Sequence, residues 1–399
     1  GKHAVVYYDA AYSSAGGVSG SFQDVTVIAL DAAGDSATDM TVGFRPREVF
    51  FAADGSEGFV VTDDGISVLD FVDIAKNGSG IARRISLGMV VDQKGLDVSV
   101  TPDGLYALTR EPGMSVVRLV HLTDGKIESL DLADALAIET STLDEDAGVP
   151  VAVPVDVTDI DLAASGAFAL AVLRNQATVL RIPIPEAFTS PAKVTSYVVK
   201  DEIVGSVTIA PGADLALLYT TAADVKRITI LSLDSDDAPK IIALRKTIAA
   251  VAISPDGETS LIIHKKVAGD PNQAGLDPDL QLDRSYGYSV LRSSTGDVKL
   301  QVTDTPPIAF SIVPDGSYIF LLFRSDPSVR EVQKIEAKSF LVTPIALGSP
   351  PVSMGSVPKS ERIFINQEHP DGRITFIDYK TDDRPRTVTG FALNSRIRD

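Results

Sequence analysis

Val251-Ala252-Ile253-Ser254-Pro255-Asp256-Gly257 runs into Glu258 to His264, and the whole reads as strand, tight turn, strand. Pro255 pre-sets φ for the second position of a type I turn, Asp256 can bond its own backbone, and Gly257 accepts a positive φ. The flanks are apolar and β-branched: Val251 and Ile253 before the turn, Leu261, Ile262 and Ile263 after it. That combination is a hairpin signature.

The hairpin recurs. Val100-Thr101-Pro102-Asp103-Gly104 leads into Leu105-Tyr106-Ala107-Leu108, and Val313-Pro314-Asp315-Gly316 leads into Tyr318-Ile319-Phe320-Leu321. Weaker copies are Ala53-Asp54-Gly55, Ala164-Ser165-Gly166, Ala210-Pro211-Gly212 and Pro358-Lys359-Ser360. With Asp54, Asp103, Ser165, Pro211, Asp256, Asp315 and Lys359 as marks, the steps are 49, 62, 46, 45, 59 and 44 residues. A step in the mid-forties with strands throughout is the blade spacing of a β-propeller. Each mark is followed by a third strand and a polar turn, as in Arg227 to Leu233 before Asp234-Ser235-Asp236-Asp237, and then a short fourth strand, as in Ile241 to Leu244.

The Ser/Thr-Pro-Asp-Gly hairpins resemble those of the YVTN-type and lactonase-like propellers, and more loosely the TolB and WD-repeat propellers. The likeness covers nearly all of the chain and concerns turns, which are structural. The WD signature itself is absent, since the chain has no Trp. The resemblance implies an exported bacterial protein, in the periplasm or at the cell surface. The start at Gly1-Lys2-His3, without Met, fits a processed N-terminus or a chain cut from a longer one.

The expected fold is all-β: one propeller domain over residues 1–399, eight four-stranded blades, with seven as the alternative. Residues 3–44 hold an incomplete unit, with strands at Val5 to Tyr8, Val25 to Leu30 and Met40 to Val42. A strand near Phe391 to Ile397 is expected to complete it, so that the two termini close the ring. Three long insertions, 10–23, 131–155 and 266–285, fall in second-to-third or between-blade loops, which share the top face of a propeller. Insertions gathered on one face of a repeat array mark a binding face.

The formal net charge is −18, and residues 127–173 carry ten acids with no Lys or Arg. Such a chain repels phosphate backbones, which argues against nucleic acid as a partner. No apolar run reaches membrane-spanning length. Without Cys there is no disulfide, thiol chemistry or Cys metal site.

Catalytic patterns are missing. There is no Gly-x-Ser-x-Gly elbow and no phosphate-binding Gly loop followed by a helix. The four histidines, His3, His121, His264 and His369, make no metal-binding pattern, and His264, just before the 266–285 insertion, is the best placed of them. Asp277, Asp279 and Asp283 offer hard oxygens within seven residues and are the candidate calcium ligands, against the weightier reading of ordinary loop chemistry. Asp156, Asp159 and Asp161 lead into a first strand and are a second, no stronger, candidate for an ion. For a protein partner the candidates are Asp144, Glu145 and Asp146 in one insertion, and Arg284, Tyr286 and Tyr288 at the end of another, because Tyr and Arg favour interface hot spots. The functional expectation is a non-catalytic protein-binding scaffold, within a multi-subunit assembly or on its own. The rivals are a lactonase-like or other hydrolase with a metal ion in the central funnel, and a structural component of a surface layer or filament.

Overall fold

The structure is a computed structural model. It describes residues 2–8, 22–30, 36–87, 96–136, 141–143, 150–152, 156–173, 177–199, 204–221, 224–323, 329–357, 360–381 and 384–390. The chain divides into two compact units, Gly1–Val207 and Thr208–Asp399.

Six of the seven hairpin marks sit between the first and second strands of a four-stranded sheet, and the seventh, Lys359, lies outside the described residues. In the first unit the second sheet runs Glu48–Phe51, Glu57–Thr62, Gly65–Asp70, Arg83–Ile85. The third runs Asp97–Val100, Tyr106–Arg110, Val116–His121, Ile127–Asp131, and the fourth Val157–Leu162, Phe168–Leu173, Thr178–Pro183, Thr195–Val198. The fifth sheet starts at Ser206–Ile209, the strand in which the division between units falls, and continues through Leu215–Tyr219, Arg227–Ser232 and Lys240–Ala243. In the second unit the sixth sheet is Ile248–Ile253, Thr259–His264, Tyr286–Arg292, Val298–Thr303. The seventh is Pro307–Ile312, Tyr318–Phe323, Glu331–Glu336, Leu341–Ala346, and the eighth Pro351–Val357, Arg362–Gln367, Arg373–Asp378, Arg386–Thr389.

The first sheet is the incomplete unit. His3–Tyr7, Asp24–Ala29 and Ser36–Thr41 pair in order, and a two-residue strand, Gly80–Ile81, adds in parallel beyond Ser36–Thr41. The third strand therefore begins earlier than the expected Met40. The strand expected near Phe391 to Ile397 lies outside the described residues.

The turns explain their own composition. In the 254–257 turn the Gly257 N–H bonds the Ser254 carbonyl at 2.9 Å, and Asp256 accepts from the Glu258 N–H and the Ser254 hydroxyl. Asp103 bonds Leu105 N–H and the Thr101 hydroxyl in the same way, at 3.0 and 2.6 Å. These aspartates are turn residues, not reactive acids. The turn glycine also meets the preceding turn: a Cβ on Gly166 (φ 73°) would stand 2.9 Å from Pro102. In the fifth sheet the positive φ falls on Ala213 (59°), whose N–H bonds Ala210 O at 2.8 Å, so this turn reads one residue later than the mark at Pro211 suggests.

The core lies between facing sheets. In the second sheet Phe59 and Val61 pack with Val98 and Val100 of the third, while Val60 packs with Val25 and Val27 of the first. In the seventh, Ile319 and Leu321 pack with Leu261 of the sixth, and Phe320 and Leu322 with Ile363 and Ile365 of the eighth. A strand buried on both faces reads as a continuous apolar run, which is why the second strands are the most apolar.

Candidate functional site

The excursion between Thr259–His264 and Tyr286–Arg292 is built, not loose. Sequence reading makes 266–285 a loop. The structure places the helix Pro278–Arg284 in it, with Pro278 in the first turn and Asp277 as N-cap, accepting from Asp279 N–H at 2.9 Å and Leu280 N–H at 3.4 Å. Asp277 and Asp279 thus stand at the start of the helix. Asp283 lies at its other end and pairs with Lys226, the closest approach being 2.8 Å. Asp277 is engaged as the cap and Asp283 in the ion pair, and among the described residues no three His, Asp or Glu side chains form a group that could hold a metal ion.

Beneath the helix lies Lys246, 0% exposed. Its ammonium donates to the carbonyls of Leu282 and Asp283 (the latter at 3.2 Å), which also accept the Ser285 and Val267 N–H groups, at a helix C-terminus where the dipole favours a cation. Burial pulls its pKa down, with Asp283 opposing and Lys226 adding. Beside it His264 is buried. Its Nδ1 stands 3.2 Å from Thr247 O and its Nε2 2.7 Å from Ser289 Oγ. Since Thr247 O can only accept, Nδ1 carries the proton and Ser289 donates to Nε2. Desolvation lowers this imidazole to about 4. A neutral His beside a Ser hydroxyl is the geometry of an activated nucleophile, but Ser289 is 2% exposed, so the pair locks two strands together.

The predicted partner residues divide. Arg284 turns back on the excursion, donating to Gln273 Oε1 at 2.8 Å and lying over Gly269, where a Cβ would stand 2.6 Å from its Nε. Tyr286 is half-buried under the Lys266 ammonium, 4.6 Å from the ring centroid. Tyr288 is a correction: it is 1% exposed, packs with Leu261 and Phe323, and bonds Gln333 at 3.1 Å, so it cannot meet a partner. Asp144, Glu145 and Asp146 lie outside the described residues, as does most of the 10–23 insertion. The charged and large apolar side chains that the excursion shows to solvent include Lys265, Lys266, Val267, Asp270, Asp277, Asp279 and Leu280.

A second charged group lies in the first unit, on the first strands of the second, third and fourth sheets and the Tyr106–Arg110 strand. Arg110 reaches Asp97 at 3.3 Å and the Val157 carbonyl at 3.1 Å. Asp159 accepts from the Val207 N–H at 2.9 Å. Burial holds the Asp159 carboxyl above the usual range, with Asp97 adding to the rise and the Val207 bond and Arg110 opposing it. Glu48 is raised as well, by desolvation and then Asp97, although its side chain reaches solvent. Sequence reading reaches Asp159 but not Glu48, Asp97 or Arg110, which no motif connects. The other histidines are structural: His3 stacks on Phe71 at 4.2 Å, His121 meets Glu128 at 3.2 Å, and His369 accepts from the Asp371 N–H in a turn.

No protein-family model matches the sequence, and no curated protein is similar to it. Solved structures do resemble it. The dihydro-heme d1 dehydrogenase NirN, solved in complex with DHE, aligns at a TM-score of 0.55 and 14% identity, over 92% of this chain and 73% of that one. A eukaryotic initiation factor aligns at 0.55 and 11%, over 90% and 81%. The chain is a β-propeller. Its eight four-stranded sheets are the blades of that fold. Similarity at this identity concerns architecture alone, and propellers host many unrelated functions.

Proposed function

We propose that this propeller is a non-catalytic scaffold that binds a protein partner through the 265–286 excursion. The observation that carries the reading is Lys246: a fully buried ammonium holds the end of a helix whose outer side bears Leu280, 38% exposed. Burying a cation to fix a surface segment is costly unless it is fully bonded, and a pre-organised segment loses less entropy on binding. The excursion exposes Val267 and Leu280 together with Lys265, Lys266 and Asp279, the mixture of apolar and charged side chains that an interface uses. The reading includes export to the periplasm or cell surface of a bacterium. It is supported by the likeness of the hairpins to YVTN-type and lactonase-like propellers. Among the described residues no helix is long and apolar enough to cross a membrane. The test is co-isolation from the native source with Val267→Asp/Leu280→Asp. Loss of a stoichiometric partner supports the reading, and an unchanged complex removes the excursion as the binding surface.

A hydrolase is the second reading, favoured by Asp159, whose raised carboxyl beside Arg110 suits a general acid. A hydrolase substrate panel compared with Asp159→Asn tests it: turnover that the variant abolishes would favour the enzyme.

A further inference from the structure

Asn77-Gly78-Ser79 is the one Asn-x-Ser/Thr triplet in the sequence. In the folded chain Asn77 is exposed and ends the helix Phe71–Asn77. Gly78 (φ 75°) ends the helix, its N–H bonding Ile74 O, and Gly80 begins the edge strand Gly80–Ile81, which pairs on one side only. A Cβ added at either glycine would meet nothing within 4 Å, so the space around the triplet is open. The Asn77 amide has one side-chain bond, from Nδ2 to Asp73 Oδ1 at 2.5 Å, which a χ rotation releases.

The surroundings give the triplet a purpose. Ile81 and Val72 are 79% and 72% exposed, the highest values among the exposed large apolar side chains of the described residues, and they stand on either side of Asn77 in the chain. Beside them runs an unpaired strand edge, the feature that folded proteins ordinarily cover or charge to prevent pairing with another chain.

We propose that Asn77 is an N-glycosylation site, and that its glycan shields Val72, Ile81 and the Gly80–Ile81 edge. The donor is a lipid-linked oligosaccharide diphosphate, and the catalyst an oligosaccharyltransferase of the exporting cell. The bond from Asn77 Nδ2 to sugar C1 forms, the C1–O bond to the diphosphate breaks, the diphosphate leaves with the electron pair, and the amide loses one proton. Ser79 supplies the hydroxyl that such transferases read. The inference rests on export of the chain and is independent of any protein partner.

The test is peptide mass spectrometry on the protein purified from the exported fraction of its native source. Trypsin cuts after Lys76 and Arg83 and releases Asn77–Arg83. The proposal predicts this peptide with a hexosamine-containing mass series on Asn77. Ser79→Ala should remove the series and leave the circular dichroism spectrum unchanged. A peptide recovered entirely as plain Asn77, or as Asp from simple deamidation of the Asn-Gly pair, would overturn it. Asn77→Gln should also raise self-association in sedimentation. A sugar-bearing protein whose variant stays equally monomeric would overturn the shielding role.

Discussion

Lys246 donates from a fully buried ammonium to the carbonyl of Leu282, across 36 residues of chain, and so ties the connection between the fifth and sixth sheets to the end of the helix Pro278–Arg284. Lys246→Met keeps most of the stem's volume and removes the donor from two carbonyls. We expect a loss of about 2 kcal/mol, the worth of a charge-assisted hydrogen bond. Cleavage within 266–285 under limited proteolysis should become faster. Urea denaturation with an unchanged midpoint, and unchanged proteolysis, would contradict this role.

His264 makes stability depend on pH. Its folded pKa is depressed, to about 4 from 6.5, so between those values the unfolded chain binds the proton and the folded chain does not. Stability is then complete above 6.5 and falls with pH toward 4, by roughly 3 kcal/mol in all. His264→Gln, which can still bond Thr247 O and Ser289, should flatten that slope. Denaturation midpoints measured across the interval decide it, and a wild-type slope in the variant would refute the assignment.

The turn at 210–213 is strained where its relatives are not. Ala213 takes φ 59° at the place that Gly257 and Gly316 fill in other turns. Ala213→Gly should stabilise by about 0.5–1 kcal/mol. Gly166→Ala, at φ 73° with Pro102 at 2.9 Å, should cost about 1–2 kcal/mol or more. Thermal unfolding of the two variants should move in opposite directions, and movement in the same direction would break the comparison.

Asp159 carries a raised carboxyl, so its contribution to stability is present at low pH and lost as pH rises and the buried group ionises. Asp159→Asn keeps an acceptor for the Val207 N–H and removes the charge near Asp97. We expect the variant to be more stable than wild type at pH 7, with the difference closing as pH falls through the carboxylate range. A less stable variant at pH 7 would mean that the attraction of Arg110 outweighs burial.

The fold was legible because the turn chemistry repeats. Ser/Thr-Pro-Asp-Gly sets φ, satisfies the aspartate locally and places glycine against its neighbour, so one hairpin predicts the rest. The helix Pro278–Arg284 was harder to read: its signals, Asp277 as cap and Pro278 behind it, equally describe a loop, and it has no buried residue to give an apolar stripe. Tyr288 was misassigned because residue type alone, Tyr and Arg as interface residues, does not show burial: Tyr286 is half-buried under Lys266 and Tyr288 is fully enclosed. Lys246, Glu48, Asp97 and Arg110 carry no sequence signal, and Asp159 was reached only as one of three nearby acids, because what these residues do depends on which strands the fold brings together.

The most direct test is the native mass of the protein isolated under mild conditions from its own source. The scaffold account predicts a defined heteromeric particle, with a second protein at fixed stoichiometry that Val267→Asp/Leu280→Asp releases. A monomer reproducibly free of partners would contradict it and turn attention to the Asp159 carboxyl.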